Sequence, residues 1–209
     1  KASWDAGKDM LVPLTGHAAG NAPATTPLMV PIRSLGPSYR ERITAHLLQL
    51  PPADRYLRFG YAATDEQVRR YTAQLDFDRD EIFGIYNRRL ELVAMAHLAF
   101  AEQAEHQQCA EFGVSVLAQA RGRGLGARLF ERAVMHARNE GVNMVFIHAL
   151  TENTAMLKIA RNAGATVQRD GSESEAYLQI SPAGLDTRMA EIVEQQFAEL
   201  DYRLKKQAK

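Results

Sequence analysis

The stretch Val114–Phe130, VSVLAQARGRGLGARLF, decides the fold of this chain. Val114 and Val116 alternate with Ser115, the period of a strand with two unlike faces. The run breaks at Arg121-Gly122-Arg123-Gly124-Leu125-Gly126, after which Leu125, Leu129, Ala133 and Ala137 recur at the four-residue spacing of one helical face. A strand therefore delivers a glycine-rich turn to the N-terminus of an amphipathic helix. The first helical turn has N–H groups without intrahelical acceptors and a partial positive charge, so the junction suits an anion. Glycines at 122, 124 and 126 let the backbone approach a bulky phosphate, and Arg121 and Arg123 can add fork-shaped donors. Taken alone, the stretch also fits a tight strand-to-helix connection with no ligand.

Spacing narrows the guest. A P-loop needs Lys and then Ser or Thr after its last glycine, whereas Ala127 and Arg128 follow Gly126. The glycines run G-x-G-x-G, which departs from the dinucleotide fingerprint G-x-G-x-x-G. The stretch instead resembles the R-x-x-G-x-G/A signature of the GNAT superfamily of N-acetyltransferases, with Arg121, Gly124 and Gly126 in the fixed positions. That resemblance implies acetyl-CoA as cosubstrate, its pyrophosphate held by the loop. The implied binding set is Val114, Val116, Arg121, Gly122, Arg123, Gly124, Leu125 and Gly126, together with Asn153.

Asn153 opens Asn153-Thr154-Ala155-Met156-Leu157, continuing to Gly164, which resembles the second GNAT block, N-x-x-A/M-x-x-L-x-x-x-x-G. Asn is a favoured helix cap, and in the family it also meets the pantetheine arm; the two roles are compatible. Arg55-Tyr56-Leu57-Arg58-Phe59, Ala110-Glu111-Phe112 and Glu152-Asn153-x-x-Met156-Leu157 together resemble the Pat-type branch, bacterial enzymes that acetylate lysines on proteins. That likeness implies Glu111 as general base. A carboxylate inside the apolar run Cys109–Leu117 is costly to bury, and desolvation would raise its pKa toward the range useful for taking a proton from an ammonium. A solvent-facing strand glutamate is the plain alternative. His97, on the neighbouring expected strand, is the rival base, although a lone histidine there is more often a satisfied core residue; His148 has the same status.

The implied chemistry is direct attack of a neutral amine on the thioester, with a strand N–H near Val116 stabilising the oxyanion. The chain departs from the family at Ala160, where many members carry a tyrosine that protonates the leaving thiolate, and at Ala165, where Phe is usual. Ala160 and the long tails keep a second class open, a non-catalytic domain that senses coenzyme A. Arg55, Tyr56, Arg58 and Phe59 serve acceptor recognition, or else are aromatic anchors under two solvated arginines.

Composition sets the bounds. Basic and acidic side chains cancel at 25 each, so no electrostatic footprint for nucleic acid or an anionic membrane exists. The single cysteine, Cys109, excludes an intramolecular disulfide and a cysteine zinc site, and is expected to be a buried, inert thiol. The six histidines show no ligand spacing, so no metal is expected. No apolar run approaches the ~20 residues of a membrane span, and no signal core opens the chain, which points to the cytoplasm.

Outward from the loop, strands are expected at 28–33, 81–87, 90–100, 109–117, 142–149, 165–169 and 175–180. The strand at 90–100 is apolar on both faces and therefore central. Helices are expected at 39–50, capped by Ser38 and stopped by Pro51-Pro52, from Thr64 to Gln74, from Leu125 to Asn139, and at 152–162. The result is an α/β chain with a mixed sheet, the order of the GNAT fold. Residues 1–27 form an extension, 28–180 the domain, and 181–209 a last helix capped by Ser181 with Pro182 at its first position. Its stripe Met189, Val193, Phe197, Leu200 and Leu204 is expected to pack on the domain or on a second subunit, a homodimer. The acceptor is an amine, either a small molecule or a protein lysine.

Overall fold

The computed structural model describes residues 30–101 and 109–208. The expected extension 1–27, the start of the strand expected at 28–33 and the polar segment 102–108 lie outside the described residues. The elements are β1 (Arg33–Ser34), α1 (Arg40–Leu48), α2 (Pro52–Phe59), α3 (Asp65–Ala73), β2 (Glu81–Tyr86), β3 (Leu92–Phe100) and β4 (Cys109–Val116). There follow α4 (Leu125–Asn139), β5 (Met144–Leu150), α5 (Thr154–Asn162), β6 (Thr166–Asp170), β7 (Glu173–Gln179) and α6 (Leu185–Gln207). The strands form one mixed sheet in the order β1-β2-β3-β4-β5-β7-β6. Only β4 and β5 pair in parallel among the described strands, joined by the α4 crossover that a parallel pair requires.

Alternate strand residues feed two cores. On one face Phe112 meets Phe130 edge to face at 4.9 Å, and Leu129, Ala133 and Ala137 lay α4 against the sheet. On the other, Ile43, Leu47 and Val68 bring α1 and α3 over Ile82 and Met95. β3 is buried along most of its length, as its two apolar faces require. Thr64 caps α3 reciprocally with Gln67, the two bonds being 3.2 and 2.9 Å.

Three helix boundaries differ from expectation. Ser38 is not a cap: Pro37–Tyr39 forms a 3₁₀ turn and α1 begins at Arg40. Pro51-Pro52 does end α1, but Pro52 also starts α2, because proline lacks only an N–H that the first turn would leave unpaired. The segment Arg55 to Phe59 is therefore helical, and it ends at Gly60 in the left-handed region, φ 78°. α6 begins at Leu185 rather than near Ser181, its entry fixed by the Gly184 N–H donating to Thr187 Oγ1 at 3.1 Å.

α6 also lies the other way round. Met189 (66% exposed), Val193 (59%), Leu200 (57%) and Leu204 (57%) face outward, and only Phe197 of the expected stripe is half-buried. The domain instead receives Glu191, Ala198, Glu199 and Tyr202. Arg132 on α4, itself 3% exposed, donates to Glu191 Oε1 at 2.6 Å, and His136 Nδ1 lies 2.7 Å from the same oxygen. Arg33 donates to Glu199 at 2.6 Å and lies over the Tyr202 ring at 3.9 Å. The cations of α4 and β1, withdrawn from water, require carboxylates, and that need orients the helix.

Burial pushes the Glu191 carboxyl up, but hydrogen bonds from His136, Asn139 and Arg132 outweigh it and hold the group at about 2, against an ordinary 4.5. Because the folded-state pKa is the lower one, the stabilisation is complete above the ordinary value and is lost as pH falls through the folded one. Thermal melts between pH 5 and pH 2 are expected to show a decline on the order of 3 kcal/mol from this group. The decline should be smaller in Glu191→Gln, and equal declines in the two proteins would remove the assignment.

Candidate active site

β4 and β5 pair only at Cys109–Met144, Ala110–Val145 and Glu111–Phe146. Beyond that β4 continues on β3 to Val116 and β5 continues on β7 to Leu150, so the two strands part. Leu117 N–H donates to Val93 O at 2.9 Å, and the antiparallel alternation then turns the N–H groups of Val114 and Val116 away from β3, into the opening. Arg121 Nε donates to the Val116 carbonyl at 3.1 Å, which places that carbonyl on the same side.

On one side of the opening is a cleft of about 570 Å³ lined by Gly122, Gly124, Leu125, Gly126, Asn153 and Ile159, among others. Gly122 and Gly124 hold φ of 73° and 72°, the left-handed region that side chains disfavour. Space is the reason only at Gly126, where an added Cβ would lie 3.2 Å from Ile159 Cδ1. The first helical bond of α4 is Arg128 N–H to Gly124 O, so the N–H groups of Leu125, Gly126 and Ala127 precede the ladder. No side chain caps this terminus and no acidic residue sits in its first turn, whereas Thr64 caps α3 and Asn153 caps α5. A positive, uncapped helix end facing a cleft fits a diphosphate.

The flanking side chains divide. Arg121 is tied to Asp54 of α2 by an ion pair, so it joins the loop to α2. Arg123 is exposed and lies outside the cleft lining. Asn153 accepts from Met156 N–H at 3.2 Å and donates to Leu57 O at 3.4 Å, linking α5 to α2.

On the other side is a cavity of about 350 Å³ whose walls include Glu111, Gly113, His148, Glu173 and Glu175. Leu57, Arg58, Val114, Asn153 and Met156 border both spaces, so the two meet at Val114. Glu111 lines this cavity but is exposed, which overturns the expectation of a desolvated carboxylate. The cause is register: Glu111 is the last β4 residue paired before β5 departs. His148 stands in the same wall, exposed, 3.5 Å from Glu175.

His97 is a partnered residue. Its Nε2 lies 2.9 Å from Asp80 and its Nδ1 2.8 Å from the Tyr71 hydroxyl, and it borders neither space. Burial pushes the Asp80 carboxyl up, but the bonds from His97 and Arg79 prevail and hold it at about 2. Arg58 donates to the same Tyr71 hydroxyl at 2.9 Å and lies across Gly113, where an added Cβ would meet its Cζ at 2.8 Å. Arg55 instead serves the backbone, donating to Leu48 O at 2.8 Å and Leu50 O at 3.0 Å. The signal available for Arg58 was Gly113, since a lone glycine inside a strand marks a close approach. His46 was missed: it is 1% exposed, with Nδ1 2.8 Å from Leu92 O and Nε2 2.8 Å from Ser115 Oγ. Burial lowers it to about 4, so at pH 7 it is neutral, donating to the carbonyl and accepting from Ser115 beneath the opening.

Residues 46–165 match the sequence profile described as the Acetyltransferase (GNAT) family. Among solved structures, the GNAT domain of S. lividans PAT is similar at 22% identity, with a TM-score of 0.61 over 71% of this chain and 89% of that one. An acetyltransferase of the GNAT family from Streptococcus pneumoniae is similar at 14% identity, TM-score 0.58, over 72% and 98%. So is yncA from Salmonella typhimurium, in a structure with its cofactor acetyl-CoA, at 15% identity, TM-score 0.57, over 74% and 96%. At these identities the likeness is one of fold.

Proposed function

Because the chain belongs to the acetyltransferase (GNAT) family, acyltransferases that use acetyl-CoA, we propose that it moves an acetyl group to a primary amine, a protein lysine or a small molecule, with Glu111 as general base. The observation that carries this reading is the meeting at Val114 of two spaces, one behind the uncapped end of α4 and one walled by Glu111.

Acetyl-CoA, when bound, supplies the acetyl group activated as a thioester. The N–H groups of Leu125, Gly126 and Ala127 would hold its diphosphate, with Gly122 and Gly124 shaping the loop that presents them. The Val114 and Val116 amides stand free in the opening to orient the pantetheine arm and a developing oxyanion. Glu111 takes the proton of the incoming ammonium, directly or through water, and its exposure gives that proton a path to solvent. Glu173 and Glu175 on the same wall favour a cationic acceptor over an anionic one. Ala160 has no ionisable group and is fully buried, so its position supplies no acid to the leaving thiolate. We place the reaction in the cytoplasm, with neither nucleic acid nor membrane as partner; no described helix is long and apolar enough to cross a membrane.

Turnover of acetyl-CoA against a panel of amines and lysine peptides tests the proposal. Glu111→Gln is expected to lower kcat by about 10²–10⁴-fold while leaving the calorimetric Kd for acetyl-CoA unchanged. Binding of the coenzyme with no transfer to any amine would replace the enzyme with a coenzyme A sensor.

A further inference from the structure

Leu185, Met189, Ile192, Val193, Leu200 and Leu204 form one outward stripe on α6, each between 57% and 82% exposed. The other large apolar side chains exposed among the described residues are Tyr56 and Tyr61, so the apolar surface is concentrated on this helix. Single exposed leucines are ordinary, but a continuous stripe marks an interface. The inward face of α6 is already occupied by its ion pairs with Arg132 and Arg33, so the domain itself leaves the stripe uncovered.

We propose that the stripe pairs with the stripe of a second copy of this chain, the two α6 helices antiparallel about a two-fold axis between residues 194 and 195. The positions are mirrored about that point. Leu185 and Leu204 are equidistant from it, as are Met189 and Leu200, Ile192 and Phe197, and Val193 and Gln196. An antiparallel copy therefore sets apolar against apolar in three of those layers and keeps Gln196 away from its own copy. Charge selects the same direction. The exposed ends carry Asp186 and Arg188 at the start but Arg203 and Lys206, both cationic, at the finish. A parallel pair would gather four cations at one end. An antiparallel pair separates the two sets by the length of the helix, roughly 35 Å, and places each beside one Asp186 and one Arg188 instead of beside the other set. Such a self-matching patch closes into a dimer, the commonest symmetry of soluble assemblies. The proposal is independent of the acyl-transfer reading.

Sedimentation equilibrium of the full chain is expected to give the mass of two chains at tens of micromolar. Met189→Glu with Leu200→Glu should give the mass of one, with the circular dichroism of the folded chain and its acetyl-CoA affinity retained, because within one chain both side chains are exposed, and with a melting temperature that no longer rises with protein concentration. Direction is read in a Cys109→Ser background: oxidation should link chains carrying Met189→Cys and Leu200→Cys together, but not chains carrying Met189→Cys alone. A single-chain mass at every concentration, or a dimer that survives the double glutamate change, would overturn the proposal. Efficient linking by Met189→Cys alone would overturn the antiparallel arrangement. If the chain is monomeric and removing residues 1–29 is what opens α6 to hydrogen exchange, the occupant is the chain's own N-terminal segment.

Discussion

Gly126→Asp is expected to raise the Kd for acetyl-CoA by at least ~100-fold, about 2.7 kcal/mol, while the protein stays folded. The substitution puts a carboxylate in the first turn of α4, beside the N–H groups of Leu125 and Ala127 that precede the helical ladder. There it satisfies the helix end itself and repels a diphosphate, whereas an acidic residue in a first turn is favourable for the helix. The new Cβ meets Ile159 Cδ1 at 3.2 Å, the far end of a flexible side chain that can yield. Calorimetry with coenzyme A checks both halves when run with a thermal melt. An unchanged Kd would move the diphosphate away from residues 122–127.

Glu191→Ala is expected to be the most damaging single change outside the cores. Arg132 is 3% exposed, and without Glu191 its nearest carboxylate is Glu194 at 3.8 Å. A buried guanidinium stripped of its partner costs about 3–5 kcal/mol. For a chain of this size that corresponds to a fall of roughly 10 °C in melting temperature. Arg132→Met combined with Glu191→Leu should recover much of the loss, because removing both charges leaves no orphan in the interior. A loss below about 1 kcal/mol for Glu191→Ala would mean that α6 is not held by this pair.

What was legible in the sequence is local. The strand–loop–helix unit at 114–130, the Thr64 and Asn153 caps, and the central position of β3 each follow from a few neighbouring residues whose spacing has one stable outcome. Two features were hidden locally. Pro51-Pro52 reads as a stop, although its second proline is a good first helical residue and α2 starts there. Ser181-Pro182 reads as a helix start, yet the helix begins only at Leu185, after an extended Gly184.

By itself the sequence determined the order of the strands and of every helix but α2, the family to which they belong and which side of those helices is apolar, because periodicity and capping are properties of a few consecutive residues. Tertiary structure alone decided that Glu111 is exposed, since its burial depends on where β5 leaves β4. It alone joined Arg121 to Asp54, two residues whose separation along the chain says nothing of their distance in space. It also decided which side of α6 faces in. An amphipathic pattern reports the contrast between two faces, but the buried cations of α4 and β1 drew the polar face inward, and that demand comes from residues more than fifty positions away.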